Sequence, residues 1–404
     1  MRSREGEPVK ILTQIMAVTS VNLRTLPQRP GSSLVIVIGI AGVVAVLISM
    51  LSLSAGFRQT MANGSRDDRA LIMTRGADSE SSSQVTRADV VSLENLPGIR
   101  RISGKPALSA EVLVLASVAK KSDSSDAFVT VRGVGPEAIA VRPELKIIAG
   151  RMFKFGEREV LAGKTANSQF SNLDPGDRIT LGDGEWTVVG VFECQGSLYE
   201  STLIADAEVV RAAFKRGSFN SVTVLLDSKN SFAVLSSALA AIPASSLEAR
   251  GEAEYAASQS RALNRLLQLI AWLIGAIMAV GAVFSALNTM YSAVSERGVE
   301  IATLRALGFS GLSVVVSILI EAQLLALLGA CVGVALAQMF FAGQIVSTVD
   351  STVGHNPQIA FSLTISLGLV AASVALACLI GLVGGIFPAL RAARMPVAAA
   401  LRGA

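Results

Sequence analysis

The sequence predicts an α-helical membrane protein with four transmembrane helices. One precedes and three follow a large α+β extracytoplasmic domain inserted between the first and second. Three observations carry the prediction. The 404 residues are 51% apolar and only 16% charged, a greasy balance for a soluble chain. Four stretches supply the ~20 mostly apolar residues that a bilayer-spanning helix needs. Between the first and second lies a segment of roughly 200 residues with mixed strand and helix signals, a normal domain size.

The first span is predicted over 33–57, where no charge stands between Arg29 and Arg58. This run is longer than the about 7–15 apolar residues of a signal-peptide core and lacks a small-x-small cleavage site, so a retained helix is the better reading. The other spans are predicted over 266–290, 312–341 and 361–388.

Basic residues set the orientation. Arg2, Arg4, Lys10, Arg24 and Arg29 precede the first span, and Arg391, Arg394 and Arg402 lie at the C-terminus. Arg297 and Arg305 lie in the loop 291–311, whereas the loop 342–360 has no Lys or Arg. The segments 1–32, 291–311 and 389–404 are therefore predicted to be cytoplasmic. The domain 58–265 and the loop 342–360 face outward, in a multi-pass chain with both termini inside.

The outer domain has strand signals in ALIMT (70–74), EVLVLASV (111–118), AFVTVRGV (127–134), DRITLGDGEWTVVGVFE (177–193) and SVTVLLD (221–227). In the fourth, Asp183-Gly184 between two β-rich runs predicts a hairpin. TRADVVSLENL (86–96), with Thr86 and Asp89 as cap candidates, and ADAEVVRAAFK (205–215) read as helices. Strands and helices in no strict βαβ order predict an α+β lobe. The Ser-rich stretches at 79–83 and 122–125 read as loops. Residues 247–265, LEARGEAEYAASQSRALNR, hold no Pro and run without a break signal into the second span. They predict one long stalk helix, and the first span is expected to extend likewise until Asn63-Gly64.

Several functions are disfavoured. AGKT at 162–165 resembles the end of a phosphate loop, but the required first Gly is Arg158, so a loop after the strand EREVLA is expected. The single histidine, His355, has no nucleophile-elbow motif around it and no Cys or His neighbour, and with Asp350 it reads as a solvated loop. No catalytic residue, metal site or bound cofactor is expected in this chain. The three cysteines imply no disulfide framework, and a net charge of +4 is too small to argue for nucleic acid.

Glu321 stands about three turns into the third span, where a charge costs on the order of 2.5–3.5 kcal/mol on insertion scales. It reads either as a polar contact within the bundle or at a subunit seam, or as a structural group that snorkels or is protonated. Gly275 with Ala279, Gly329 with Gly333, and Gly381 with Gly385 have the spacing of close helix packing. Gly329 and Gly333 fit a dimer seam or packing within the chain.

SERGVEIATLRALGFS, residues 295–310, lies between two spans and carries Glu296, Arg297, Glu300 and Arg305. It predicts a helix over 297–307, ended by Gly308 in the left-handed conformation. Its charges do not gather on one face, unlike a helix lying in a lipid surface. Ile301 and Leu304 form one apolar patch, and Val299, Ala302 and Ala306 another. Mixed faces suit a protein groove offering apolar and charged contacts together.

The stretch from Ser295 to Ala337 resembles the characteristic segment of the MacB/FtsX-like, type VII, ABC-transporter permeases. Glu296, Arg297, Glu300, Ile301, Leu304, Arg305, Ala306, Leu307 and Gly308 match its E-R-x-x-E-I-x-x-L-R-A-[LI]-G pattern. Glu321, Ala322, Leu325, Gly329 and Gly333 match the pattern that follows. The C-terminal GIFPALRAARMPVAAALR is similar to the family's closing motif through Pro388, Ala389, Ala392, Ala393, Pro396, Ala400, Leu401 and Arg402. NLRTLPQRPGSSLVIVIGIA resembles the short N-terminal helix and first span. VRGVGPEAIAVRPELKIIAGRMF and GEREVLAGKTA resemble the extracytoplasmic module.

The resemblance implies a permease subunit in the inner membrane that works as a dimer with a second permease copy, identical or not. Each copy docks on a cytoplasmic ABC ATPase, which binds the ATP and Mg. The coupling helix would comprise Glu296, Arg297, Glu300, Ile301, Leu304, Arg305, Leu307 and Gly308. Stalk extensions of the first two spans would carry motion to the outer domain by mechanotransmission. The output would be efflux or extraction of a substrate, with a periplasmic adaptor as a further partner. The alternative is an FtsX-like scaffold that relays the ATPase cycle to an outer enzyme and transports nothing. The 404 residues carry no nucleotide domain, so the ATPase is expected in a separate subunit.

Overall fold

A computed structural model describes residues 14–16, 18–20, 30–242, 246–341, 344–347 and 360–396. It divides into an α+β unit, 56–264 with 345–362, and a helical unit, 1–55 with 265–344 and 363–404.

The first long helix, α1 (Pro30–Ala62), ends just before Gly64, whose φ of +75° ends it at the predicted place. The α+β unit then begins with β1 (Arg69–Thr74), α2 (Arg87–Leu93) and a small hairpin, β2 (Arg101–Ile102) with β3 (Lys105–Pro106). Thr86 and Asp89 form the expected capping box at α2. Next come β4 (Leu108–Ala119), β5 (Asp126–Val134), α3 (Ala138–Val141), β6 (Lys146–Gly150), β7 (Glu159–Gly163) and α4 (Lys164–Gln169). They are followed by β8 (Arg178–Leu181), β9 (Gly184–Glu193), β10 (Thr202–Asp206), α5 (Ala207–Ala213), β11 (Ser221–Leu225), α6 (Ser231–Ala240) and β12 (Leu247–Gly251).

Ten strands form one sheet, in the order β12-β1-β11-β4-β5-β10-β7-β9-β6, with β8 also on β9. The pairs β5–β10 and β7–β9 are parallel and the rest antiparallel. The 12-residue β4 joins two parts of the sheet. Its first residues pair with β11 and its later ones with β5. One core includes Ile72, Val112, Val129, Phe170, Trp186 and Leu203, and a second includes Phe153, Leu161, Phe192 and Ile204. Alternate residues of β1, β4, β5 and β11 reach the first of these cores, as pleating requires.

Four local expectations are corrected. Residues 247–251 are a strand, not helix, because β1 offers a free edge and pairs with them from Ala70↔Gly251 to Thr74↔Leu247. The β8–β9 hairpin forms, but Leu181 pairs with Gly184, so the turn is Gly182-Asp183 and Gly182 takes the positive φ of +61°. Of AGKT (162–165), expected as a loop, Ala162 and Gly163 end β7 and Lys164 and Thr165 open helix α4. Glu80–Ser82, within the stretch read as loop, is a 3-10 turn.

From Glu252 the chain runs as α7 (Glu252–Glu296), then α8 (Gly298–Ala306), α9 (Gly311–Phe341), a short pair β13 (Ile345–Ser347) with β14 (Ala360–Ser362), and α10 (Leu367–Arg394). α1, α7, α9 and α10 are long and apolar enough to cross a membrane. The last begins six residues after the predicted Phe361. Phe361 belongs to β14, and Ser366 caps the helix by accepting the Leu369 N–H. Pro388 lies inside α10, which continues to Arg394.

In the helical unit, Ile40, Val44, Ile48, Ala326, Ala330 and Ala377 belong to one core. Gly329 lies against Ile40 and Val37 of α1, Gly333 against Ala41 and Val44, and Gly381 against Ala326 of α9. Gly329 and Gly333 therefore pack within the chain. Leu269, Leu273, Ile277, Val280 and Phe284 of α7 are exposed along one helical stripe, as suits a helix solvated by lipid.

Candidate functional site

The helical unit holds the segment singled out by sequence. The helix predicted over 297–307 forms as Gly298–Ala306, with Arg297 and Leu307 as its caps. Glu296 ends α7, Arg297 separates α7 from α8, and Leu307 caps α8. Gly308 then adopts φ +95°. The Gly308 N–H donates to Arg305 and the Phe309 N–H to Leu304, closing the last turn as expected.

The side chains divide into two sets. Arg297 turns inward and donates from Nη1 to Glu321 Oε2 at 3.0 Å. The pair with Glu321 engages this guanidinium inside the bundle. Ile301 is likewise buried, in the core with Val314 and Ile318. Arg305 is half-buried and donates to the Met395 carbonyl at 2.9 Å. Glu296, Val299, Glu300, Thr303, Leu307 and Gly308 are exposed, and Leu304 is intermediate. Beneath α8 lies a cavity of about 350 Å³ lined by Val18, Met290, Leu304 and the Arg297–Glu321 pair. Glu321 thus has a structural partner within its own bundle.

The α+β unit holds a second constellation that the sequence reading missed. Arg69, fully buried, donates from Nε to Glu252 Oε2 at 2.6 Å and from Nη1 to the Val141 carbonyl at 3.2 Å. It also bonds Glu144 and the Gly64 carbonyl. One guanidinium therefore ties the residues just past α1 to the first residue of α7. Glu252 also accepts from Arg142 Nη1 at 2.6 Å and from the Arg66 N–H at 3.1 Å. Arg132 bonds Glu111 and Glu80, the latter at 2.9 Å. Both guanidiniums lie over the Tyr199 ring, Arg142 at 4.1 Å and Arg132 at 4.6 Å from its centre.

Burial pushes the Tyr199 phenol well above its ordinary pKa, so it stays neutral beside two cations. Burial works against the charge of Arg132, but the Glu80 and Glu111 carboxylates outweigh it and hold the guanidinium charged. A signal for this network existed in the sequence. Arg69, Glu111 and Arg132 are charges within or beside apolar strands, where an ion must be paired. Asp350 and His355 lie outside the described residues.

The MacB-like periplasmic core domain family matches residues 33–242, more than half of the chain, and the FtsX-like permease C-terminal family matches 272–397. The chain belongs to the MacB/FtsX-like family of ABC transporter permeases. A macrolide export ATP-binding/permease protein MacB from Bdellovibrio bacteriovorus is 24% identical over 94% of this chain and 60% of its own length. The chain thus spans about 60% of the length of that MacB relative. An uncharacterized ABC transporter permease, YknZ of Bacillus subtilis, is 24% identical over 83% of each chain. A crystal structure of the periplasmic region of MacB from Actinobacillus actinomycetemcomitans aligns with 50% of this chain and 95% of its own, at 16% identity and a TM-score of 0.38. As a member of this permease family with four long apolar helices among the described residues, the chain is a multi-pass membrane protein.

Proposed function

We propose that this permease couples the cycle of a cytoplasmic ABC ATPase to movement of its outer domain, driving export or extraction of a substrate. The ATPase binds ATP and Mg, and the permease itself acts mechanically rather than catalytically. The four helices cross the inner membrane in a one-plus-three layout with both termini in the cytoplasm. A second permease copy completes the assembly, and a periplasmic adaptor receives the substrate.

The observation that supports this reading is the continuity of α7. It runs from Glu252, held by Arg69 and Arg142, to Glu296 beside Arg297 without a break in the helix. A helix this long transmits a displacement along its axis because its backbone hydrogen bonds are satisfied internally. Glu300 and Leu307, exposed on and beside α8, are the side chains proposed to meet the ATPase.

The test is reconstitution with the companion ATPase. Glu300→Arg and Leu307→Glu are expected to lower permease-stimulated ATP turnover about tenfold while the chain stays folded, the loss of roughly 1.4 kcal/mol at an interface. Full stimulation in both variants would remove α8 from the coupling role.

A further inference from the structure

The α+β unit contains a cavity of about 720 Å³ that the coupling reading does not use. Small-molecule sites run to about 300–1,000 Å³ and are mostly apolar with a few placed polar groups. This one falls within that size range, and its lining joins apolar side chains to charged and polar ones. Leu113 and Leu115 of β4 line it, together with Phe57 and Met61 from the last turns of α1. The apolar run of α1 ends at this same Phe57.

The charges around the cavity indicate what it would bind. Its two lining glutamates are already engaged. Glu80 accepts from Arg132 and Ser221, and Glu252 accepts from Arg69, Arg142 and the Arg66 N–H. Arg132 and Arg142 are engaged in the same bonds. Arg216 is different. It lines the same cavity and is exposed, and no hydrogen bond or ion pair of its side chain is found among the described residues. The cavity therefore offers apolar walls, saturated carboxylates and one available cation.

We propose that this cavity binds an amphipathic anion, with its apolar chain against Leu113, Leu115, Phe57 and Met61 and its single acidic group at Arg216. An acidic bilayer lipid and a free alkyl carboxylate share this chemistry. Either would contact α1 and the α+β sheet together, so occupancy would stiffen the residues through which α1 enters the domain.

The full chain in phosphatidylcholine nanodiscs is irradiated with a diazirine-bearing dodecanoate and, separately, with the corresponding dodecyl trimethylammonium probe. Labelled peptides are mapped by mass spectrometry. Saturable labelling of β4 and β5 peptides is expected, about tenfold stronger for the carboxylate. Leu115→Trp, which fills the cavity, lowers it about tenfold, and thermal melting checks that the variant folds. Arg216→Glu, at an exposed position, abolishes the preference for the anionic head. Adding phosphatidylglycerol to the discs separates the sources: loss of label assigns the site to the bilayer lipid, and persistence to the free anion. Equal labelling by both heads, label confined to the spans, or label unmoved by both variants overturns the proposal. A cavity left unlabelled because a second copy closes it does the same.

Discussion

Arg297 donates to Glu321 at 3.0 Å, and the two side chains are only 8% and 9% exposed. The charge inside α9 thus has its counter-ion on the residue that separates α7 from α8. Removing one partner of such a pair leaves the other buried and uncompensated, a loss of about 3–5 kcal/mol. Glu321→Leu and Arg297→Met are each expected to lower the thermal stability of the full chain in nanodiscs. The double variant is expected to recover most of the loss, because two apolar side chains replace two ions. Glu321→Gln, which keeps the shape, should fall between wild type and Glu321→Leu. Additive losses in the double-mutant cycle would show that the pair contributes nothing.

Arg69 presents a different geometry, one fork reaching Glu252, Glu144 and the carbonyls of Val141 and Gly64. A lysine has one compact ammonium and cannot span these acceptors. Arg69→Lys is therefore expected to destabilise the α+β unit, and Arg69→Ala to cost about 3–5 kcal/mol by stranding buried carboxylates. Hydrogen exchange localises the effect. The Arg66 N–H, which donates to Glu252, should exchange faster in both variants, whereas the β4–β5 ladder should change less. Uniform acceleration across the unit would indicate global destabilisation instead of a released clamp.

The sequence carried the long apolar helices plainly, because lipid solvation requires uninterrupted runs such as 33–57 and 312–341. Period-two strands β4, β5 and β11 were legible for the same kind of reason. β12 was not, since LEARG has helix-forming residues and becomes a strand only when β1 supplies its edge. At the candidate coupling segment the chain stop at Gly308 could be read locally. The inward turn of Arg297 could not, because it depends on Glu321, twenty-four positions away. Arg69 and Glu252 are further apart still, and no local pattern pairs them.

Acid should release the contact between Arg151 and Glu159 in the α+β unit. Arg151 grips Glu159, with Nη1 at 2.7 Å, and the Lys154 N–H donates to the same carboxylate at 2.9 Å. The Arg151 hydrogen bonds, ahead of opposing burial, hold the Glu159 pKa down to about 2 from its ordinary 4.5. A folded-state pKa below the unfolded one stabilises the native state above pH 4.5, and the contribution fades as pH falls towards about 2. Buried Trp186 can report unfolding in a Trp272→Phe background. The stability gap between the wild type and Arg151→Ala is expected to be constant above pH 4.5 and to close on acidification. A gap independent of pH would exclude this ion pair as its origin.

The glycines of α9 give a prediction about which surface meets which. A Cβ at Gly329 would lie 2.9 Å from both Ile40 Cβ and the Val37 carbonyl oxygen. At Gly333 it would lie 2.7 Å from the Ala41 carbonyl oxygen and 2.8 Å from Val44 Cβ. Backbone atoms cannot swing aside as a side-chain tip can, so α1 and α9 would have to separate. Overpacking of this kind costs about 1–3 kcal/mol. Gly333→Ala is expected at the lower part of that range and Gly333→Val at the upper. Gly39 and Gly42 of α1 have no atom within 4 Å of an added Cβ. Alanine there should be neutral or slightly stabilising, since it favours a helix over glycine by about 1 kcal/mol. Melting in nanodiscs reads the stability, and size-exclusion with light scattering reads the oligomer. A fall in stability for the Gly333 variants at unchanged oligomeric state supports close packing inside one chain. A shift in oligomeric state with unchanged melting would place Gly333 at a seam between copies instead.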